Sequence, residues 1–246
     1  LPLASLLEEA SSFPSKLEEM FLLQKQLNDS TNGKNWELGV NKFNKEINWL
    51  RCIHMEVAEL IDSTPWKHWK NINSSPDMNN IHVELVDIWH FLMSYILQET
   101  NVPKAVSLVN THCIYEAAQS IDVNLIIKES EKLSYIALAI ETKNMPSFSG
   151  IERFIEQFFR ACKSAGLSFS WLQKLYIGKN CLNQFRQDNG YKEGTYKKVW
   201  NGNEDNVVMV ELLKTIEDVS FDELYEQLKL KYNQNACSFR RKSSER

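Results

Sequence analysis

The sequence has few of the residues that interrupt helices. Only eight glycines and six prolines occur among its 246 residues, and this scarcity favours long helices over a turn-rich β fold. An excess of positive charge is also missing, because the formal net charge is −4. Affinity for a phosphate backbone requires a basic surface, so we expect no nucleic-acid partner. Any anionic ligand must be bound by local basic groups or through a metal.

Cysteine pairs, membrane-length apolar runs and a secretory signal are missing as well. The five cysteines are scattered, without a Cys-x-x-Cys pair, so we expect neither a zinc site nor a disulfide framework. No apolar run approaches the roughly 18 residues that cross a bilayer. The stretch from Leu1 to Phe13 lacks the basic start of a secretory signal. We therefore expect reduced thiols, a cytoplasmic location and no membrane partner.

Apolar residues recur mostly at spacings of three and four, as amphipathic helices require. Short stretches rich in asparagine, glycine and proline separate the periodic segments. The predicted helices cover about 16–30, 43–63, 79–101, 104–120, 122–142, 149–165, 168–187, 204–217 and 221–232. No strand alternation competes with this pattern. The predicted fold class is therefore all-α, a multi-helix bundle.

Two carboxylate motifs, Glu56-Val-Ala-Glu59 and Glu84-Leu-Val-Asp87, lie in two of these helices, with twenty-four residues between them. Residues three apart project from one face of a helix. If the two helices pack together, four negative charges meet, and such a cluster needs a neutralising cation. All-oxygen ligands suit Mg²⁺, which completes its shell with water and substrate phosphates. The alternative is a pair of ordinary helices with solvated acidic edges; the metal hypothesis predicts a four-carboxylate Mg-binding core and a phosphorylated substrate.

A second polar feature lies in the segment from residue 178 to residue 206. Lys179, Asn183 and Arg186 recur at i, i+4 and i+7, so they form one polar stripe on a helix. Together they offer a point charge, an amide donor and a bidentate guanidinium to phosphate oxygens. A basic helix face followed by an ordinary loop is the alternative. The phosphate interpretation is favoured because a carboxylate–Mg²⁺ cluster needs a polyphosphate partner.

At these residues the sequence resembles the dimeric all-α dUTPases of trypanosomatid protozoa and some bacteria, which belong to the all-α nucleoside triphosphate pyrophosphohydrolase superfamily. The similarity extends from about Leu23 to Tyr232. Beyond the two carboxylate motifs and the 178–206 segment, it includes the block from Leu27 to Gly33 and the block Trp66-Lys-His-Trp69-Lys70. The four-carboxylate pattern is typical of the superfamily, and the other blocks narrow the resemblance to dUTPases.

This resemblance implies a single all-α dUTPase domain over 1–246, with peripheral tails at about 1–15 and 234–246, in a homodimer. It implies a dUTP diphosphatase that hydrolyses dUTP and dUDP to dUMP, which limits uracil incorporation into DNA and supplies dUMP. The cofactor would be Mg²⁺, two or three ions per active site. The metal ligands would be Glu56, Glu59, Glu84 and Asp87. One of the first two, Glu56 by family analogy, would position or deprotonate the catalytic water.

The resemblance also implies which residues bind the nucleotide. The phosphates would be held by Lys179, Asn183, Arg186, Lys198 and Asn206. The uracil would be read by Gln24, Asn28 and Trp66, together with backbone groups at His90 and Phe91. Tyr191 would pack near the deoxyribose and disfavour a 2′-hydroxyl. Four other tryptophans are predicted to be core residues: Trp36, Trp49, Trp89 and Trp171.

Three other functions fit parts of the pattern. A related pyrophosphohydrolase would use the same metals on another nucleotide, such as dCTP. A helical di-iron carboxylate protein would need Glu-x-x-His twice, whereas this sequence has only Asp87-Ile-Trp-His90. A helical interaction protein would have no turnover at all. The prediction that accounts for most of the motifs is a Mg²⁺-dependent dUTP diphosphatase.

Overall fold

The computed structural model describes residues 3–70, 74–113, 121–217 and 219–244, with side chains from residue 12 to residue 234 within those ranges. The chain divides into two compact units, Leu1–Leu172 and Gln173–Arg246. The single domain expected from the resemblance stays a prediction. None of the described helices is long and apolar enough to cross a membrane.

Helices make up nearly all of the regular structure in the described residues, which confirms the all-α fold class. The elements in chain order are α1 (Leu3–Asn32), a short 3₁₀ turn (Trp36–Leu38), α2 (Trp49–Asp62), α3 (Met78–Glu99), α4 (Val102–His112), α5 (Val123–Glu141), α6 (Ser147–Ser164), α7 (Phe169–Asp188), β1 (Val199–Trp200), β2 (Asn203–Glu204), α8 (Asp205–Thr215) and α9 (Phe221–Ser244).

The helix predicted over 43–63 begins only at Trp49. Asn48 caps it, because its side chain accepts a hydrogen bond from the backbone N–H of Arg51. Upstream, the Asn41 side chain accepts from the N–H groups of Phe43 and Lys45. Asparagine side chains that bond to nearby backbone groups compete with helix formation, so this stretch forms a turn instead.

Both ends of the chain are more helical than predicted. Helix α1 begins at Leu3, within the stretch predicted as a peripheral tail, and α9 continues to Ser244 rather than ending near residue 232. Helix α4 ends at His112, and the rest of the helix predicted over 104–120 lies from 114 onwards outside the described residues.

The core of the first unit is built on α2 and α3, which pack along each other, while α2 also packs on α5 and α5 on α6. The apolar sides predicted for these helices are buried, including Ile53 and Leu60 on α2. Trp89 of α3 is fully buried and stacks on Phe158 of α6, with ring centroids 4.9 Å apart. This arrangement turns the polar borders of α2 and α3 toward each other.

The predicted core tryptophans are mostly confirmed. Trp36, Trp49 and Trp89 are buried, and Trp36 and Trp49 meet edge to face at 6.0 Å. Trp171 is only half-buried.

The second unit is organised around Phe185 of α7. Its ring packs against the rings of Trp200, Tyr225 and Tyr232, at centroid distances between 5.4 and 5.8 Å. Strands β1 and β2 form a two-residue antiparallel hairpin in this unit. This hairpin was not predicted. It leads directly into the first residue of α8.

Candidate metal centre and nucleotide-binding residues

Three of the four predicted metal ligands lie together in the first unit. Carboxylate oxygens of Glu56 on α2 and of Glu84 and Asp87 on α3 all lie within 4.8 Å of one another. Glu84 is buried, and the other two are partly buried. Glu59, one turn after Glu56, is exposed and is not among the three whose oxygens converge. Its role as a ligand stays a prediction.

The electrostatics of this group favour a bound cation. The pKa of Glu56 is raised to about 8, mainly by burial and then by the negative charges of Asp87, Glu84 and Glu59 and a hydrogen bond with Glu84. A carboxyl group with this pKa retains a proton at neutral pH unless a cation replaces it. The donor set consists of carboxylate oxygens only, and hard oxygen ligands are those that Mg²⁺ takes in proteins. The residues present therefore fit Mg²⁺.

Two polar residues behind the cluster were missed by the sequence analysis. The Nδ2 group of Asn80 donates to Glu84 Oε1 at 3.1 Å and to the Ser63 hydroxyl at 2.7 Å. Asn80 lies one turn before Glu84 on α3, and this helix begins where Asp77 caps the backbone N–H of Asn80. The i, i+4 spacing of Asn80 and Glu84 was visible in the sequence, but its Ser63 partner was not. Such contacts orient a ligand carboxylate.

Three of the residues predicted to read the base form one buried network between α1 and α3. Gln24 and Asn28 each donate to the hydroxyl of Ser94 at 2.9 Å. His90 Nδ1 lies 2.7 Å from Gln24 Oε1 and donates to it, because an amide oxygen only accepts. Ser94 in turn donates to the backbone oxygen of His90 at 2.8 Å. Ser94 was missed, although a serine one turn after His90 in an otherwise apolar helix is a usable signal.

The other residues predicted at the base are placed differently. Trp66 follows α2 and is 41% exposed; its Nε1 donates to Asp62 at 3.0 Å, and its ring meets that of Trp69 edge to face at 5.6 Å. Within the described residues, no hydrogen bond or ring contact joins Trp66 to the Gln24 network. Phe91 is half-buried and stacks on Trp49 at 6.1 Å.

The predicted phosphate-binding residues in the second unit form a second group. Lys179 and Arg186 are buried, and both donate to Asn206 Oδ1, at 3.1 and 3.3 Å. Arg186 also donates to Asn183 Oδ1 at 3.3 Å. The ring of Tyr191 lies 6.0 Å from the guanidinium carbon of Arg186. Four of the predicted phosphate-binding residues are thus joined by hydrogen bonds, and Tyr191, predicted to lie near the sugar, is beside them.

Lys198 and Asp205 lie next to this second group and are joined by a backbone hydrogen bond. The Lys198 side chain is exposed, while its backbone oxygen accepts from the N–H of Asp205 at 2.8 Å. Asp205 was missed by the sequence analysis, yet it receives two hydrogen bonds from Arg186. The Tyr196 hydroxyl donates to the same carboxylate at 2.8 Å. An acidic residue in a basic segment is a weak signal by itself, because its partner lies nineteen positions away.

Comparison with known proteins gives one family. A family model described as dUTPase matches residues 16–191. The match includes both carboxylate motifs, the Gln24 network and the stripe from Lys179 to Arg186, and it ends before Lys198 and Asp205. No curated protein matches the chain.

Proposed function

The chain belongs to the dUTPase family, and we propose that it hydrolyses dUTP, and also dUDP, to dUMP at a Mg²⁺ centre held by its carboxylate cluster. It is a dUTP diphosphatase by family, an activity that limits uracil incorporation into DNA and supplies dUMP. The observation that supports the metal proposal best is the convergence of Glu56, Glu84 and Asp87 within 4.8 Å, in a segment that the family model covers.

In the proposed centre Glu56, Glu84 and Asp87 would hold two or three Mg²⁺ ions, and Glu59 would contribute a further carboxylate. When bound, Mg²⁺ lowers the pKa of a coordinated water and neutralises phosphate charge. Glu56 would hold the attacking water and take its proton, because bound Mg²⁺ would keep this carboxylate deprotonated. Asn80 holds Glu84 in place through the 3.1 Å hydrogen bond.

In the proposed reaction the water oxygen attacks the β-phosphorus in line. The bond from that phosphorus to the oxygen bridging it to the α-phosphorus breaks, and dUMP leaves. With dUTP the second product is pyrophosphate, which contains the water oxygen. Lys179, Asn183, Arg186, Lys198 and Asn206 bind the phosphate oxygens and stabilise the charge that develops on them.

The uracil and the sugar are recognised by the remaining predicted residues. Gln24 and Asn28 carry amide groups that can both donate and accept, as the uracil edge requires. Trp66 and the backbone at His90 and Phe91 complete the base site. Tyr191 packs near the deoxyribose, where its bulk disfavours a 2′-hydroxyl.

A homodimer and a cytoplasmic location also belong to the proposal. The homodimer rests on the resemblance to the dimeric all-α dUTPases. The location is supported by Cys52, Cys113, Cys162 and Cys181, all of which are free thiols, as is usual in a reducing compartment. Cys237 lies outside the described side chains.

A nucleotide panel tests the proposed activity. dUTP, dUDP, UTP, dTTP and dCTP are incubated with and without Mg²⁺, and the products are separated by chromatography. We expect Mg²⁺-dependent conversion of dUTP and dUDP to dUMP, with little turnover of the others. Preference for dCTP would contradict the substrate, and unchanged turnover in excess chelator would contradict the metal.

A pair of glutamate variants tests the metal ligands. Glu84→Gln keeps the size of the side chain and removes its charge, and it should abolish turnover while far-UV circular dichroism stays unchanged. Glu226→Gln is the matched control, because Glu226 is an exposed residue paired with Lys229. Wild-type turnover by Glu84→Gln would remove Glu84 from the centre.

A further inference from the structure

Asp205 is the most fully bonded carboxylate described in the second unit. It is 1% exposed and is the first residue of α8, where the helix dipole stabilises negative charge. Arg186 donates to both of its oxygens, from Nε to Oδ2 and from a terminal nitrogen to Oδ1, each at 2.8 Å. The Tyr196 hydroxyl adds a third hydrogen bond and the backbone N–H of Asn206 a fourth, at 2.8 and 2.9 Å.

This arrangement fixes the plane of the Arg186 guanidinium. A two-pronged arginine–carboxylate pair restricts rotation as well as distance. The pair is also buried, and an unpaired buried charge would be strongly destabilising. Tyr196 stays protonated and able to donate, because burial and the charge of Asp205 both raise its pKa far above the usual value. Asp205 therefore holds Arg186 in one orientation before any ligand binds.

The same contacts set the direction of two amide groups. Arg186 donates to the Oδ1 atoms of Asn183 and Asn206, and Lys179 donates to the Asn206 oxygen as well. Each Nδ2 group consequently lies on the other side of its amide. Neither Nδ2 donates to any residue in the described part of the chain. Two amide donors of fixed orientation thus lie beside two cations, which is a donor arrangement suited to phosphate oxygens.

We propose that Asp205 is a positioning residue that, with Tyr196, aims Arg186 and the amides of Asn183 and Asn206 at a bound polyphosphate. The inference rests on the proposed function, since it gives the phosphate group of that function its orientation. Asp205 touches no phosphate itself. Its effect on catalysis passes through Arg186, because donors fixed in advance need no reorganisation as charge develops on the phosphates.

Kinetics of isosteric variants test this proposal. Asp205→Asn keeps the shape but turns an amide donor toward Arg186, so kcat/KM for dUTP should fall by about tenfold or more, as it does when a preorganised donor is lost. Tyr196→Phe removes one hydrogen bond to Asp205 and should lower kcat/KM in the same direction by about two- to tenfold. Glu226→Gln, in the same unit, should leave the kinetics unchanged.

Two readouts separate positioning from a merely structural role. The Kd for deoxyuridine, which has no phosphate, should be unchanged in Asp205→Asn, whereas general damage would weaken it too. The double variant Asp205→Asn, Arg186→Ala should be no slower than Arg186→Ala alone, because the two residues act as one unit. If Asp205→Asn and Tyr196→Phe both keep wild-type kinetics while Arg186→Ala does not, the proposal is wrong. If Asp205→Asn fails to fold, Tyr196→Phe decides alone.

A binding measurement keeps the test independent of turnover. Calorimetry with inorganic tripolyphosphate should show weaker binding to Asp205→Asn than to the wild type. If the wild type does not hydrolyse dUTP but binds tripolyphosphate in an Asp205-dependent way, the proposed function fails and the positioning role stands. Equal affinity for tripolyphosphate in both proteins would overturn the positioning role whatever the substrate.

Discussion

Glu56 links the metal centre to the stability of the folded protein. Its carboxyl titrates near 4.5 in an unfolded chain and at about 8 in the folded protein. Below the lower value both states hold the proton, and no stability is lost. Between the two values only the folded state keeps it, so the stability from this proton disappears as the pH rises through about 8.

We therefore predict that the metal-free protein becomes less stable from about pH 5 to about pH 8. Thermal unfolding in excess chelator, followed by circular dichroism at several pH values, measures this. Glu56→Gln should flatten the profile, because its side chain has no proton to lose. Mg²⁺ should restore stability most at the high end, since it displaces the proton. A profile of Glu56→Gln that is as steep as that of the wild type would contradict the assignment.

Asn80 orients the carboxylate of Glu84, so its replacement should weaken the binding of Mg²⁺. Asn80→Ala removes the 3.1 Å hydrogen bond to Glu84 and should weaken Mg²⁺ binding by about tenfold or more, as loss of such outer contacts does. The measurement is the Mg²⁺ concentration that gives half-maximal turnover. Asn144→Ala is the control, because Asn144 is an exposed residue after the end of α5 and its side chain donates to the nearby Thr142 hydroxyl, far from the cluster. A lower melting temperature in Asn80→Ala with unchanged Mg²⁺ dependence would show a purely structural role.

The sequence predicts which side chains lie together where these side chains share one helix. Glu84 and Asp87 are three residues apart and Lys179 and Arg186 seven apart, and both spacings place the two side chains on one face of a helix. Ser94, Asn80 and Asp205 were missed, because local spacing gives at most a weak signal for them and each makes an identifying hydrogen bond with a partner elsewhere in the chain. The distances that identify them join positions between seventeen and seventy residues apart, and one sequence contains no record of such pairings.

At the scale of elements, helix existence was predicted well and local turn chemistry was not. The helix predicted over 43–63 begins only at Trp49, because asparagine side chains bond to the backbone before it. The hairpin of β1 and β2 was not predicted at all. The hairpin turn is Asn201-Gly202, and both residues have positive φ, 51° and 93°. Such a pair is a strong hairpin signal in a sequence. It was overlooked because the flanking strands are only two residues long.

Two glycines in the loop after α7 should differ in how much stability is lost when each is replaced by alanine. Gly190 and Gly194 both have positive φ, 88° and 70°, but an added Cβ would collide with Thr195 at Gly190 and meet open space at Gly194. Gly194→Ala should lower the free energy of unfolding by about 1–2 kcal/mol from backbone strain, and Gly190→Ala by about 1 kcal/mol or more beyond that from the collision. Urea denaturation measures both variants. Equal losses would show that the Thr195 contact relaxes without cost.

The division of the whole molecule into two units could not be read from the sequence. The boundary lies between Leu172 and Gln173, inside helix α7. A boundary is usually predicted from a linker rich in glycine, proline or polar residues, and a continuous helix contains none. The all-α class, by contrast, follows from apolar periodicity summed over many segments, so errors of a few residues at helix ends did not affect it.

For the whole molecule we predict a homodimer in solution. Sedimentation velocity should give a mass about twice the 28.7 kDa of the chain, because the dimeric all-α dUTPases are the proteins that the sequence resembles. Obligate dimers often have no stable folded monomer, so the mass should not fall on dilution through the micromolar range. A monomer mass throughout that range would contradict the prediction.

The seven tryptophans differ widely in exposure, so intrinsic fluorescence can report on ligand binding. Trp36, Trp89 and Trp200 are at most 2% exposed, whereas Trp66 and Trp69 are 41% and 64% exposed. Acrylamide in solution should therefore quench the emission of Trp66 and Trp69 and leave that of Trp36, Trp89 and Trp200 largely unquenched. If uracil covers Trp66, dUTP will protect that fluorescence from the quencher, and Trp66→Phe will abolish most of the protection. In excess chelator, where the proposed hydrolysis stops, nucleotide affinity can then be titrated without a label.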